Sequence, residues 1–184
     1  MQSVFGTRRD ELALDEGEAF ILYGLVRAIK PETCLEIGTH QGVSATYIAE
    51  ALHDNKKGHL HTTDPFDYQQ RQTFPHDLKQ YVTFYDKRGA DIKLENKIDF
   101  AFIDGFHDNV TVLEEIENVL PQLAPGAIVV FHDAQDEPTN WEIGVNKAIT
   151  DAGILEKCVW LPTTYGLQVY RHTEKAPVKT KKKK

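Results

Sequence analysis

The 184-residue chain has no apolar run approaching the ~20 residues that a membrane-spanning helix needs. Its opening residues, Met1 to Arg9, also lack the apolar stretch of a secretory signal, so the expected location is the cytoplasm. Cysteine is scarce. Cys34 and Cys158 lie in apolar, strand-like segments without the neighbours of a metal clip or redox pair, and are expected to be buried thiols. Positive charge is short as well. The net charge is −7 even though five of the last six residues are lysine, so the remainder of the chain is more acidic still. An acidic body argues against a nucleic-acid groove. The lysine-rich end, residues 176–184, is expected to be a disordered basic tail. There is no internal repeat, and a hydrophobic content of 41% supports one core, so residues 1–175 are expected to form one domain.

Within that body, helical and strand-like periodicities alternate. Helices are expected at 15–30, 43–52, 110–123 and 140–152. Strands are expected at 33–37, 59–63, 81–85, 98–103 and 127–131, with a terminal hairpin from 154–161 and 165–171. Pro31 ends the first helix, and a Pro125-Gly126 turn precedes the fifth strand. Continuously apolar strands between helices imply an α/β, Rossmann-like doubly wound sheet, mostly parallel, with helices on both faces. The hairpin adds an antiparallel strand. Residues 66–81, rich in aromatics and proline, read equally as a lid or as inward packing.

Four strand ends carry chemistry. In Cys34-Leu35-Glu36-Ile37-Gly38-Thr39-His40-Gln41-Gly42, a buried strand ends in an acid and a glycine, and a second glycine opens a helix. Gly38 allows backbone to approach a ligand, and the helix start offers free N–H groups. The middle glycine of the dinucleotide fingerprint is missing, with Thr39 and His40 in its place, so the loop suits a nucleoside cofactor without a pyrophosphate. Asp64 ends the next strand and can accept both hydroxyls of a ribose. Ile103-Asp104-Gly105-Phe106-His107 delivers an acid to the sheet edge with a histidine three residues on, a pattern fit for metal ligation and general-base work. Phe131-His132-Asp133 ends a further buried strand in ionisable residues. Each has a plainer reading as a turn glycine, loop acid or helix cap. Their convergence on one sheet edge weighs more than any of them singly. Ala90 and Asp91, beyond the third strand, lie where a loop could border a nucleobase. Trp141 reads as a packing residue that could line a pocket.

Together these motifs resemble the class I S-adenosylmethionine-dependent methyltransferases over roughly Glu16 to Arg171. The likeness is greatest to a small branch with Ile-Asp-Gly-x-His and His-Asp segments, similar to macrocin-type sugar O-methyltransferases and more distantly to catechol O-methyltransferase. The resemblance implies that Glu36, Gly38, Thr39 and Gly42 surround the methionine part of S-adenosylmethionine. Asp64 would hold the ribose, Ala90 and Asp91 would border the adenine, and Asp104 would adjoin the cofactor. It further implies that Asp104, His132 and Asp133 ligate a divalent cation such as Mg²⁺ or Mn²⁺, with His107 as catalytic base. A histidine ligand suits Mg²⁺ poorly.

The expected activity is O-methylation of a small hydroxylated substrate, a sugar among the candidates. His107, with an ordinary pKa near ~6.5, would remove the hydroxyl proton while Asp104 and Asp133 orient it. Competing readings are a cofactor-binding module without catalysis and a nicotinamide-dependent oxidoreductase. Absence of a Tyr-x-x-x-Lys pair speaks against the latter. A chain this short is also compatible with a homo-oligomer whose partner closes the cleft.

Overall fold

The computed structural model describes residues 14–67, 73–135 and 143–173. The lysine tail, Trp141 and Tyr68 lie outside them. Seven strands form one sheet: β1 (Thr33–Ile37), β2 (His59–Thr63), β3 (Val82–Tyr85), β4 (Ile98–Ile103), β5 (Leu123–Phe131), β6 (Cys158–Leu161) and β7 (Leu167–Arg171). Their order is β3-β2-β1-β4-β5-β7-β6. The five strands from β3 to β5 pair in parallel, and β7 runs antiparallel to both β5 and β6. The expected doubly wound sheet with an antiparallel terminal hairpin is therefore the fold observed.

Strand alternation divides the core in two. On one face Cys34, Phe100, Phe102 and Val130 meet α1 (Glu16–Ile29) and α2 (Val43–Asn55) through Leu22, Val26, Ala45 and Ile48. On the other, Leu35, Ala101, Ile103 and Val129 meet α3 (Asn109–Val119) and α4 (Ile143–Asp151) through Ile116, Val119, Val145 and Ile149. Burial on both faces is why these strands read as continuous apolar runs. Asp99 is the exception in β4, and it accepts the Glu32 and Thr33 N–H groups, fixing the start of β1 against β4.

Several boundaries differ from expectation for local reasons. The third helix stops at Val119, because Pro121 has no N–H to continue the ladder and sits in a 3-10 turn, Leu120–Gln122. The fifth strand begins at Leu123, before the Pro-Gly pair, and its pairing with β4 shifts register there. Gly126 adopts φ 88° and donates to the His172 carbonyl, so the turn is absorbed within the strand's first half. Between β2 and β3, Phe74 and Leu78 pack inward beside α2, and Phe74 meets Phe84 edge-on at 5.3 Å. That part of the suspected lid is core. Among the described residues, no helix is long and apolar enough to cross a membrane.

Candidate active site

The carboxyl ends of β1, β2, β4 and β5 open onto one cavity of about 680 Å³. Gly38, Thr39, Asp64, Ala90, Asp104, His107, His132 and Asp133 all line it, so most of the residues singled out in the sequence share one space. Parallel strands that reverse their winding direction between β1 and β4 leave such a crevice.

The loop after β1 is built by its glycines. Gly38 has φ 96°, and a Cβ there would lie 1.8 Å from the Asp104 carbonyl oxygen. The space is thus taken by the neighbouring loop rather than reserved for a ligand, and Gly38 is what lets β1 and β4 end side by side. Gly42 caps α2 in the left-handed region, at φ 78°, but is not on the cavity wall. Asp64 anchors the same loop: one oxygen accepts the His40 N–H at 2.9 Å and the other the Phe66 N–H at 2.9 Å.

Like Gly42, Glu36 and Asp91 of the expected cofactor residues stand off the cavity wall. Glu36 is fully buried and does not line the cavity. It accepts the Thr62 hydroxyl, which also meets Thr39 at 2.6 Å, so Glu36 reaches the wall only through its neighbours. Burial pushes its carboxyl up to about 8. Asp91 turns outward and pairs with Arg88 at 3.0 Å, leaving only Ala90 of that pair facing the cavity. A carboxylate beside an exposed guanidinium has no reason to enter an apolar slot.

At the other end of the cavity three carboxylates surround two imidazoles. His107 Nε2 lies 3.0 Å from Asp133 and 3.8 Å from Asp104. His132 Nδ1 lies 3.0 Å from both Asp104 and Asp133, while its Nε2 lies 3.0 Å from Glu18 of α1. Asp133 adopts φ 53°, a left-handed conformation uncommon outside glycine and better tolerated by Asp than by most residues. Asp104 and Asp133 hold His107 protonated, with its pKa raised to about 10. Although burial opposes it, the same carboxylates and Glu18 raise His132 well above its ordinary value. Burial likewise works against the Asp133 charge, but His107 and His132 outweigh it and hold that carboxyl far below its usual range. The two carboxylates thus favour the protonated ring of His107, where the sequence alone offers only the ordinary value of a free imidazole.

Asp104, His107 and Asp133 each offer an atom within 4.8 Å of the others, which suits one divalent ion. The expected ligand His132 presents Nδ1 to the same two carboxylates, at 3.0 Å from each, with its Nε2 turned to Glu18. Two contributors were not foreseen from sequence. Glu18 accepts the Tyr165 N–H at 2.9 Å as well as meeting His132, and Glu115 of α3 lies on the cavity wall. Both stand at helical spacing within apolar stripes, Glu18 with Leu22 and Val26, Glu115 with Val112 and Val119. An acid on an inward stripe was the signal available.

Comparison with known proteins agrees with this geometry. Residues 35–134 match the family described as "Methyltransferase domain". The protein y4gI of Sinorhizobium fredii is 27% identical over 129 residues, covering 60% of this chain, and the chain spans only 14% of that relative's length. Among solved structures, the S-adenosylhomocysteine-bound methyltransferase PaMTH1 of Podospora anserina superposes with a TM-score of 0.72 at 18% identity, over 89% of this chain and 80% of its own. The O-methyltransferase TomG of Streptomyces achromogenes, solved with S-adenosylmethionine, gives 0.69 at 20% identity over 89% and 82%. The O-methyltransferase of Bacillus cereus gives 0.70 at 18% identity over 88% and 83%. With more than half of its length matched, the chain belongs to the methyltransferase-domain family, on the fold of class I S-adenosylmethionine-dependent methyltransferases.

Proposed function

We propose that the chain transfers a methyl group from S-adenosylmethionine to a hydroxyl of a small molecule, a sugar hydroxyl among the candidates, with a divalent cation assisting. The observation that carries this is that one cavity has both kinds of residue on its wall: Asp64, Ala90 and Gly105 of the loops, and the Asp104–His107–Asp133 cluster. The loop residues suit an adenosine, whose ribose hydroxyls would meet Asp64. The cluster suits a reacting hydroxyl.

When bound, S-adenosylmethionine supplies an electrophilic methyl group, and the protein's part is orientation and proton removal. Three carboxylates against two imidazoles leave an excess of acceptors, which favours the protonated form of both rings. A divalent ion on Asp104 and Asp133 would meet it instead, lower the pKa of a bound hydroxyl and release His107 from its proton. His107, 31% exposed on its side chain and the most accessible member, then stands free to accept the hydroxyl proton. Asp133 orients the ring. Tyr165, whose ring lies 5.5 Å from that of His132, also lines the cavity and would contact the acceptor.

Two measurements test this. Calorimetric titration with S-adenosylhomocysteine, alongside NAD as the competing ligand, should show binding of the first only. Turnover of methyl-labelled cofactor over a panel of hydroxylated acceptors should then give a labelled ether, suppressed by chelator. Binding without turnover of any acceptor would favour a non-catalytic module.

A further inference from the structure

Of the acids on the cavity wall, Asp104 and Asp133 belong to the cation cluster, Asp64 anchors a loop and Asp108 caps α3 by accepting the Thr111 N–H, which leaves Glu115 among the described residues. It is 3% exposed, and its Oε2 is buried without a hydrogen-bond partner among the described residues. The backbone has made room for it. A Cβ on Gly89 would sit 2.8 Å from Glu115 Oε1, and a Cβ on Gly105 would also sit 2.8 Å from that atom and 3.3 Å from Oε2. Two glycines from two different loops therefore flank a single carboxyl on the cavity wall. Their neighbours there are Ile37, Ala90 and Phe106. A polar group left unpaired among apolar atoms is costly, so a ligand atom that satisfies it would be bound with advantage.

The state of the carboxyl says which ligand atoms fit. Burial first, then Asp108 and Asp104, push it up to about 8, while His107 and Arg88 pull the other way. At neutral pH it holds its proton and presents one acceptor oxygen beside one O–H donor. That pair complements an aromatic edge carrying an amine next to a ring nitrogen, as the amide of Asn or Gln complements adenine. Asp91, the acid expected to face the base, is occupied by Arg88 on the surface.

We propose that Glu115 reads the adenine edge of the cofactor, accepting from the exocyclic amine and donating to N7, the pair of atoms that the amide of Asn or Gln reads. The proposal rests on the reading of the cavity as an S-adenosylmethionine site. It makes Glu115 a specificity-determining residue, and it assigns Gly89 and Gly105 the job of clearing its path.

Calorimetry with S-adenosylhomocysteine and S-inosylhomocysteine separates the possibilities, because the inosyl compound exchanges the amine for a carbonyl and so presents two acceptors, the carbonyl and N7, to a carboxyl with one donor. Wild type should prefer the adenosyl ligand by ~10- to 100-fold. Glu115→Gln, which keeps an acceptor and a donor, should bind S-adenosylhomocysteine within about threefold of wild type. Glu115→Ala should weaken that ligand at least ~10-fold and bring the two within about threefold of each other. Equal affinity of wild type for the two ligands overturns the proposal without any variant needing to fold, and leaves the cofactor site standing. Undiminished preference in a folded Glu115→Ala overturns it as well. Failure of wild type to bind S-adenosylhomocysteine at all overturns the cofactor reading, and this assignment with it.

Discussion

Glu18 on α1 and His132 at the end of β5, 114 residues apart in sequence, meet at 3.0 Å. Glu18 is fully buried, and its other oxygen accepts the Tyr165 N–H. One side chain thus joins the first helix, the end of a central strand and the loop between β6 and β7. It also accepts its own N-cap N–H, from Asp15, in a capping box. Removing it leaves a charged imidazole short of a partner and a backbone donor unpaired. Glu18→Ala should lower stability by ~3 kcal/mol in urea unfolding. A loss under ~1 kcal/mol would mean that water replaces the carboxylate freely.

The charge balance of the cluster makes cation binding measurable without any substrate. Asp104 and Asp133 favour a protonated His107, whereas an imidazole that ligates a cation, or is released by one, is neutral. Mn²⁺ binding near neutral pH should therefore release about one proton, read as a dependence of the calorimetric heat on buffer ionisation enthalpy. Asp133→Asn should weaken Mn²⁺ by at least ~10-fold. Millimolar Mn²⁺ producing no heat and no rise in thermal midpoint would remove the cation from the proposed function.

His107 separates binding from chemistry. It lies on the cavity wall, and among the described residues its ion-pair partners are Asp104 and Asp133. His107→Ala should slow methyl transfer by ~10²- to 10⁴-fold while S-adenosylhomocysteine affinity stays within about threefold. Full activity in that variant would pass the role of base to another group.

How the sequence exposes this site follows from what strands and helices advertise. The strand ends at Gly38, Asp64, Asp104 and Asp133 were legible because a polar residue closing an apolar run must emerge at the sheet edge, and the order of β-α-β units puts those edges on one side. His107 was legible by its distance from Asp104. The direction of each side chain was not. Asp91 faces away because Arg88 sits one 3-10 turn before it, and Glu36 points into the sheet because Thr62 waits on the neighbouring strand. Pairings of that kind are fixed by register across strands far apart in sequence. The same is true of Glu18 and Glu115, whose helical stripes show only that they face inward.

Gly38 and Gly126 offer a matched test of close approach against conformation. Both have positive φ, 96° and 88°. At Gly38 a Cβ would be 1.8 Å from the Asp104 carbonyl oxygen, whereas at Gly126 nothing lies within 4 Å. Gly126→Ala should cost only the left-handed conformation, ~1–2 kcal/mol. Gly38→Ala should cost at least ~3 kcal/mol, because the ends of β1 and β4 must also separate. Guanidinium unfolding of both variants measures the difference, and equal losses would show that the loops yield easily.

Glu36 gives the fold a pH dependence that a single variant isolates. Its carboxyl holds a proton up to about 8 in the folded chain, against an ordinary value of 4.5. Between those two values the folded state binds more protons than the unfolded state, so stability falls as pH rises. Glu115, also raised to about 8 from 4.5, acts in the same direction, and His107 adds to it from 6.5 up to about 10. The lowered values of Asp104 and Asp133 act only below 3.8 and leave this window alone. Glu36→Gln keeps an acceptor for Thr62 and removes one titrating proton while the other groups remain. The stability of the variant relative to wild type should rise with pH between about 5 and 8, by up to ~1.4 kcal/mol per unit. Urea unfolding at intervals across that range reads it directly. A difference that stays constant with pH would show that Glu36 is ionised in the folded protein, with Thr62 and the sheet end supplying more stabilisation to the carboxylate than its burial removes.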